Sequence, residues 1–405
     1  MNTPWICCQL GAREHYAIPR ALHQNQQLAY LITDAWVPPR SRLNHLPNFL
    51  VGSLKERFHP DLADATVQDF TNSLLRFELS QRLLRRSDWQ LVIARNRWFQ
   101  KKAARTLRSL KSRLKKLNQP PTIFTYSYAG LEILRYAKSQ GWRTILGQID
   151  PGLIEEKIVT EIHQQYPALA PTWKPAPAIY WKNWHQECEI ADQILVNSNW
   201  SKSALEKAGI SPEKTKIVPL AYTPPQAALS FERTYPKTFS AQRKLRVLFL
   251  GQVILRKGIA AILEAAHLLR GQPIEFHLIG PLGINISDLM IPNMNWSGSV
   301  SRSQVARHYQ QADVFLFPTL SDGFGLTQLE AQAWKLPLIV SRFCGEVVKD
   351  GVNGIILPEV SGEAIAQTLK GILNSPAKLI ELSQNSSRDS NLKLSQLSQL
   401  LNQID

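Results

Sequence analysis

The sequence predicts an α/β protein made of two Rossmann-like domains that face each other across a cleft. The length of 405 residues is about twice that of a typical domain, which predicts two domains. In both halves, apolar runs of strand length alternate with segments of helical periodicity, as in parallel sheets built from right-handed βαβ units. Ligands of such sheets bind at the carboxyl ends of the strands, so the two domains present their binding edges to a shared cleft.

The predicted domain boundary is a segment in which this alternation is lost. Residues 223–244 gather Pro, Ser and Thr without periodicity, so we predict an interdomain linker there. This leaves an N-terminal domain of residues 1–222 and a C-terminal domain of residues 245–380. Residues 381–405 are predicted to form a helical tail.

The C-terminal half shows the alternation most clearly. LRVLFLG (245–251) is an apolar run that ends in glycine, as a buried parallel strand does. KGIAAILEAAHLLRG (257–271) then places apolar residues at helical spacing and closes with glycine. The same alternation continues through IEFHLIG, VARHYQQ, VFLFPT, LTQLEAQAW, LPLIVS and GIILP.

The N-terminal half is less regular but similar in kind. Its strand candidates are WICCQLG, LAYLITDAW, TIFTYSYAG, TILGQID, QILVNS and KIVPLAY. The first of them follows no basic segment, so the N-terminus is interpreted as a strand rather than a signal peptide. The four cysteines are too few and too scattered for a disulfide framework, and we expect buried, reduced thiols. The sequence has no window of about 18 apolar residues, so we do not expect a membrane-spanning helix. We expect a cytoplasmic protein.

The net charge of +15 is concentrated in one segment. Residues 82–116 contain thirteen Lys and Arg residues and one acid, Asp88. Their apolar residues form one narrow helical stripe, which predicts an amphipathic helix that docks on an anionic membrane and makes the protein peripheral. Two alternatives remain: the stripe packs on the N-terminal sheet under a solvated basic face, or the segment binds nucleic acid, which we do not expect because no recognition module accompanies it. The stripe consists of Ala103, Leu107, Leu110, Leu114 and Leu117.

The stretch PTLSDGFGLTQLEAQAWKLPLIVS (318–341) carries the chemistry. A strand ends there, a glycine-flanked turn follows, and a helix begins near Leu326. Glycines allow close approach of a ligand, and the free N–H groups of a first helical turn suit a phosphate. Asp322 on the turn and Glu330 on the helix can accept hydrogen bonds from sugar or ribose hydroxyls. The alternative is a tight turn in which Asp322 only caps the helix.

This stretch resembles the donor-binding motif of the family-4 (group 1) glycosyltransferases, retaining enzymes of the GT-B fold. The family has two glutamates separated by seven residues, and Asp322 and Glu330 match this spacing with a first acid one methylene shorter. The resemblance implies that Asp322 faces the donor sugar and Glu330 the ribose. It also implies that the turn and the first helical amides contact sugar and phosphate. These residues are Gly323, Phe324, Gly325, Leu326 and Thr327.

The segment FLGQVILRKG (249–258) resembles the family's segment that neutralises the diphosphate leaving group. Gly251 and Lys257 match it. Gln252 stands where the family usually has arginine, and the neighbouring Arg256 could substitute for that arginine. In the segment before the donor motif, the resemblance implies that Val300 touches the base.

In the N-terminal half the resemblance is looser. LGAREH (10–15) follows the first strand and could be the glycine loop beneath donor and acceptor, with Gly11 and Arg13 as candidates and His15 as a weaker one. Asp150, at the end of TILGQID, stands where relatives often carry a histidine near the sugar. The alternatives are that Arg13 is a surface cation and that Asp150 caps the following segment.

The function that the sequence predicts is transfer of a sugar from a nucleotide-sugar donor to a saccharide or lipid-linked acceptor, with retention. No cofactor and no metal are expected, since no Asp-x-Asp motif occurs and cationic side chains and helix dipoles do that work in GT-B enzymes. The alternative is a nucleotide-sugar-binding protein without transfer activity, which Gln252 and Asp322 would suit.

Overall fold

The structure is a computed structural model that describes residues 3–45, 54, 56–116, 119–386 and 393–404. Leu117, the last member of the predicted apolar stripe, lies outside these residues. Two all-parallel sheets with helices on their faces organise the chain, so the expectation of two Rossmann-like α/β domains is confirmed.

The N-terminal sheet has seven strands in the order β3-β2-β1-β4-β5-β6-β7, all parallel. Its central strands are buried on both faces, which explains the unbroken apolar run WICCQ in β1. The strands are β1 (Trp5–Gln9), β2 (Leu28–Thr33), β3 (Val67–Asp69), β4 (Thr122–Tyr126), β5 (Arg143–Gly147), β6 (Gln193–Val196) and β7 (Thr215–Ile217).

The C-terminal sheet has six parallel strands in the order β10-β9-β8-β11-β12-β13. Its order reverses direction between β8 and β11, and their carboxyl ends are the expected place for a ligand. The strands are β8 (Leu245–Leu250), β9 (Ile274–Ile279), β10 (Met294–Trp296), β11 (Val314–Phe317), β12 (Leu338–Val340) and β13 (Gly354–Ile356).

The helices cover both faces of the two sheets. The helices of the N-terminal half are α1 (Ala17–Gln24), α2 (Thr71–Leu83), α3 (Asp88–Leu114), α4 (Leu131–Ser139), α5 (Leu153–Gln165), α6 (Ala178–Ile190) and α7 (Asn199–Lys207). The remaining helices are α8 (Gln226–Leu229), α9 (Ile259–Leu268), α10 (Arg302–Gln311), α11 (Leu326–Ala333), α12 (Gly362–Asn374), α13 (Ala377–Ser386) and α14 (Leu394–Ile404).

The predicted strands are all present, and the structure contains two further edge strands that were not predicted. These are β3 (VQD) and β10 (MNW). Each has three residues and includes polar ones, so neither forms an apolar run. All four cysteines are free and buried, as expected for reduced thiols.

The segment predicted as a linker packs closely on the C-terminal domain. The Arg233 guanidinium donates to the backbone oxygens of Tyr309 and Trp334, and Tyr235 and Phe239 pack against the C-terminal core. The last helix, α14, instead returns to the N-terminal domain, where Leu397 and Leu401 join the core beneath α1. The chain therefore crosses between the domains twice.

The basic segment of residues 82–116 forms the end of α2, a turn and the long helix α3. The described members of its apolar stripe are buried against β1, β2 and β4, so they are not available for insertion into a lipid bilayer. The stripe was wrongly predicted to dock on lipid, and the alternative of packing on the sheet is the one that the structure contains. Most of the bases on α3 are exposed on the opposite face. Among the described residues, no helix is both long and apolar enough to cross a bilayer.

Candidate active site

The two domains meet at the loop that follows β11. A Cβ atom on Gly323 would lie 2.3 Å from the backbone oxygen of Ile149, which follows β5 in the other domain, so only glycine allows this approach. The Gly323 oxygen accepts a hydrogen bond of 2.8 Å from Ser198 Oγ, which also caps the N-terminus of α7. The loop of the predicted donor motif is thus held by both domains.

Lys257 and Arg256 lie together on the 3-10 turn that follows β8, beside this loop. The Lys257 ammonium contacts the Asp322 carboxylate, and Arg256 Nη1 donates to the backbone oxygen of Ser321 at 2.7 Å. Burial, together with the charge of Arg256, lowers the pKa of Lys257 well below its usual value. The structure therefore brings the predicted cations Arg256 and Lys257 to the predicted acid Asp322, although Lys257, at 12% exposed, lies deeper than a surface residue would.

Glu155, on α5 of the N-terminal domain, was not identified from the sequence. Its Oε1 lies 3.5 Å from Arg256 Nε across the cleft, and its Oε2 is buried without a hydrogen-bond partner. Burial raises the pKa of Glu155 to about 7, against the opposing effect of Arg256. A carboxylate thus lies beside the cations that are expected to receive a diphosphate. Nothing in the local sequence LIEEKIV distinguishes it from a solvated helical glutamate.

Helix α11 begins directly after this loop, at Leu326. Gly325 precedes the helix in a left-handed conformation (φ 85°), and a Cβ there would lie 2.6 Å from the Phe317 ring. Among the described residues, none accepts a hydrogen bond from the backbone N–H groups of Gly325, Leu326 or Thr327. Unpaired amides at a helix start form a site for an anion.

Asp322 does two things at once. Its Oδ2 contacts Lys257, while its Oδ1 accepts from the Phe324 N–H at 3.2 Å. The interpretation as a cap and the interpretation as a site residue are therefore compatible. The ligand contact predicted for Phe324 stays a prediction. Its ring is buried against Leu220 and Leu329, its backbone N–H donates to Asp322 Oδ1, and its backbone oxygen accepts from Gln328 Nε2.

Glu330 lies about one turn into α11 and lines a cavity of about 670 Å³ between the domains. Its Oε2 accepts a hydrogen bond of 2.8 Å from Tyr309 OH on α10. Val300 packs beside this helix pair, with Val305 and Ala306. The arrangement presents an acidic acceptor and aromatic surface to one cavity, which suits a nucleoside. The walls include Glu14, His15, Tyr222, Tyr309, Glu330 and Trp334.

The glycine loop after β1 reaches the same cavity. Gly11 has φ 85° and donates its N–H to the buried carboxylate of Asp34 at 2.9 Å. Glu14, His15 and Tyr16 follow with φ between 52° and 60°, a run of left-handed residues that stores backbone strain where a ligand would contact it.

A separate contact holds Gly251, which follows β8. A Cβ on Gly280 would lie 1.9 Å from the Gly251 oxygen, so the loops after β8 and β9 are in close contact.

Arg13 does not join the site in this structure. Its side chain is exposed, with the guanidinium carbon 5.8 Å from the centroid of the Tyr126 ring. It lines neither the Glu330 cavity nor the second cavity of the cleft, which is lined by Asp150 and Arg256. Asp150 does face the cleft. Its Oδ1 accepts from Tyr128 OH, Gln148 Nε2 and the Gly152 N–H, so the predicted capping role and a position in the cleft both hold.

The two parallel-sheet domains that face each other across a cleft have the GT-B architecture, and the C-terminal domain places a helix start and two cations at that cleft. Residues 230–389 match the model of the family described as Glycosyl transferases group 1.

Curated glycosyltransferases are similar in sequence to parts of this chain. A D-inositol 3-phosphate glycosyltransferase of Kineococcus radiotolerans is 26% identical over 257 residues, which cover 55% of this chain and 58% of that protein. An N,N'-diacetylbacillosaminyl-diphospho-undecaprenol alpha-1,3-N-acetylgalactosaminyltransferase of Campylobacter jejuni is 24% identical over 159 residues, 38% of this chain and 42% of that protein. The chain thus spans about half the length of the curated relatives that it matches.

Solved structures are similar over nearly the whole chain. The HepE protein of Anabaena in complex with UDP and glucose has a TM-score of 0.61 at 12% identity, covering 99% of both chains. A sucrose-phosphate synthase of Thermosynechococcus elongatus has a TM-score of 0.62 at 15% identity, covering 99% of this chain and 98% of that one. At such identities the likeness establishes the GT-B fold.

Proposed function

We propose that the protein is a glycosyltransferase that moves a sugar from a nucleotide-sugar donor to a saccharide or lipid-linked acceptor. The observation that carries the proposal is one arrangement in the C-terminal domain. Free amides at the start of α11 and the cations Arg256 and Lys257 suit a diphosphate, while Glu330, about one turn along α11, suits the ribose hydroxyls.

In the proposed reaction an acceptor hydroxyl attacks the anomeric carbon of the donor sugar. The bond between that carbon and the diphosphate oxygen breaks, and the hydroxyl proton passes to the departing diphosphate. Lys257, Arg256 and the amides of α11 stabilise the negative charge that develops on the leaving group, so no metal is needed for this task. We expect the anomeric configuration to be retained, and nuclear magnetic resonance of the product would report it.

The experiment is a donor screen followed by product analysis. The melting temperature of the purified protein is measured with a panel of nucleotide sugars, and the stabilising donor is incubated with lipid-linked and free saccharide acceptors. A glycosylated product is expected, together with nucleoside diphosphate. Donor binding without transfer or hydrolysis would indicate a binding protein instead. Binding to duplex DNA at physiological salt, with no donor bound, would indicate a nucleic-acid-binding protein.

Contact with an anionic membrane is part of the proposal, through a surface other than the buried stripe. The end of α2 and the turn that follows it expose Leu79, Leu83 and Leu84 at 60%, 78% and 59%, next to the exposed side chains of Arg85 and Arg86. Exposed leucines flanked by arginines suit the interface of an anionic bilayer, where each base contributes up to about 1 kcal/mol. Such docking would bring a lipid-linked acceptor to the cleft.

Vesicle sedimentation tests this surface. The wild type should bind vesicles of phosphatidylglycerol and phosphatidylcholine but not pure phosphatidylcholine, and added salt should weaken binding. Replacing Leu83 and Leu84 by Ser should reduce binding at least about fivefold, since buried apolar area is lost. The matched control is Leu268→Ser, which removes a leucine that is 50% exposed at the end of α9. Equal binding of the control and the double variant would contradict membrane docking by this turn.

Glu155→Gln should tighten donor binding above neutral pH and flatten its pH dependence. With a pKa of about 7, Glu155 becomes ionised as the pH rises through 7, and its ionised form pairs with Arg256 and repels a diphosphate. A nucleoside diphosphate sugar keeps a constant charge here because each phosphate carries one ester bond and the shared anhydride bond, which leaves only a strongly acidic group that is ionised throughout this range. Donor affinity of the wild type should therefore fall between pH 6 and 8, by up to about tenfold per pH unit.

Calorimetric titration of the selected nucleotide sugar at several pH values measures this dependence. Glu161→Gln, an exposed change on the same helix, is the control and should behave as the wild type. Lys257, whose pKa is lowered, would also lose charge as the pH rises. An unchanged slope in Glu155→Gln would assign the pH dependence to Lys257 and reject the role of Glu155.

A further inference from the structure

A second cavity, of about 570 Å³, lies in the cleft and shares no lining residue with the Glu330 cavity. Its walls come mainly from the N-terminal domain: the start of α3, the loop after β5, helix α5 and residues 170–181. The C-terminal domain contributes Arg256 and Gln252 on the side of the diphosphate site. The volume falls within the ~300–1,000 Å³ that is typical of small-molecule sites.

Aromatic side chains form much of this wall. Trp89 and Tyr180 have ring centroids 4.9 Å apart, and Trp89 Nε1 donates to the Lys174 oxygen at 3.0 Å, so the ring is held in place. Trp173 stacks on His163 with centroids 4.1 Å apart. Trp181 completes the set. Rigid aromatic faces pack well against the C–H faces of pyranose rings.

Polar groups without partners lie in the same wall. Trp181 Nε1 is a buried donor, and Glu155 Oε2 a buried acceptor, each without a hydrogen-bond partner. Asp150 uses Oδ1 for all the hydrogen bonds that its carboxylate makes among the described residues, which leaves Oδ2 available. Buried polar groups are normally satisfied, so such groups around a cavity indicate a hydroxyl-bearing ligand.

The charge of the lining selects among such ligands. Four carboxylates line the cavity, against two cationic side chains, of which Arg256 is already engaged by Glu155 and the Ser321 oxygen. A phosphorylated ligand would meet like charge, whereas the hydroxyls of a neutral sugar can donate to these carboxylates. The carboxylates are Asp88, Asp150, Glu155 and Glu156.

We propose that this cavity binds the saccharide acceptor as a neutral glycosyl residue, packed on Trp89 and Trp173 and hydrogen-bonded by Asp150. The proposal rests on the proposed function, which places the donor nucleotide in the Glu330 cavity. The donor nucleoside and the acceptor then occupy separate cavities, and Arg256 lines the acceptor cavity. A neutral acceptor would distinguish this protein from the similar D-inositol 3-phosphate glycosyltransferase, whose name specifies a phosphorylated acceptor.

Saturation-transfer difference spectroscopy on the intact chain tests this acceptor site. The probes are methyl α-D-glucopyranoside, methyl α-D-mannopyranoside, the methyl glycoside of N-acetylglucosamine, and inositol 3-phosphate. At least one neutral glycoside should give a signal that falls at least about fivefold in Trp89→Ala and in Trp173→Ala, while inositol 3-phosphate gives none. Trp98→Ala is the matched control, because Trp98 is a half-buried tryptophan of α3 that packs on Phe70 and Phe77 outside the cavity.

A nucleotide-sugar melting-temperature shift, measured on every variant, separates this inference from the proposed function. A shift that persists in Trp89→Ala and Trp173→Ala while the glycoside signal is lost supports the acceptor cavity and shows that the variants are folded. Three results would overturn the acceptor assignment alone, provided that donor binding is intact. The glycoside signal could be unchanged in both variants, the wild type could bind no glycoside, or inositol 3-phosphate could bind in preference to the glycosides. No donor binding in the wild type would instead reject the proposed function.

Discussion

Lys257→Met is expected to lower the rate of sugar transfer by at least about a hundredfold. The substitution keeps most of the side-chain volume but removes the charge that contacts Asp322 and would stabilise the departing diphosphate. Loss of one charge-assisted contact in a site shielded from water raises the barrier by about 2 to 4 kcal/mol. Steady-state kinetics should show the loss in kcat, because the charge matters most in the transition state.

The control for this variant is Lys370→Met, an exposed lysine on α12 in the same domain. It should transfer sugar at the wild-type rate. Lys257 is mostly buried, so the melting temperature of Lys257→Met must also be measured to show that the protein is folded. A folded Lys257→Met variant with wild-type kcat would remove Lys257 from the site.

Glu330→Ala is expected to raise the KM for the nucleotide sugar by about ten- to a hundredfold. The Glu330 carboxylate lines the cavity in which we propose that the nucleoside binds, and hydrogen bonds from ribose hydroxyls to a charged group contribute about 1.5–3 kcal/mol each. This contact exists in both the ground state and the transition state, so kcat should change less than KM.

Two companion variants sharpen the Glu330 prediction. Glu330→Gln keeps an acceptor for Tyr309 OH and should lie between the wild type and Glu330→Ala. Tyr309→Phe removes the hydroxyl that donates to the carboxylate at 2.8 Å and to the Thr327 backbone oxygen at 3.4 Å but keeps the carboxylate itself, so its donor KM should rise less than that of Glu330→Ala. If Tyr309→Phe is as impaired as Glu330→Ala, the carboxylate acts through the packing of α10 against α11 rather than on the ribose.

Much of the fold could be predicted because parallel strands buried on both faces produce continuous apolar runs, as in WICCQ and LRVLFL. The turn before α11 could also be predicted, since glycines and a helix start lie within one short segment. Strands β3 (VQD) and β10 (MNW) could not, because these three-residue edge strands contain polar residues and form no apolar run.

The remaining site features depend on contacts between distant segments, which no local pattern records. Glu155 reaches Arg256 only because α5 crosses the cleft, and Gly323 meets Ile149 only because the domains touch at that loop. The stripe on α3 has the same periodicity whether lipid or a sheet covers it, so periodicity alone did not decide between these two environments. The burial of the Phe324 ring could not be predicted for a related reason: a motif gives the order of residues but not the direction of each side chain.

Release of nucleoside diphosphate from a nucleotide sugar, compared between the wild type and Lys257→Met, tests the central claim most directly. The assay uses the stabilising donor and an acceptor mixture of free and lipid-linked saccharides, and it records both nucleoside diphosphate and glycosylated product. The wild type should release nucleoside diphosphate and form product in equal amounts, and Lys257→Met should do so at least about a hundredfold more slowly. Wild-type protein that neither binds nor turns over any donor, or equal turnover by the folded variant, would contradict it.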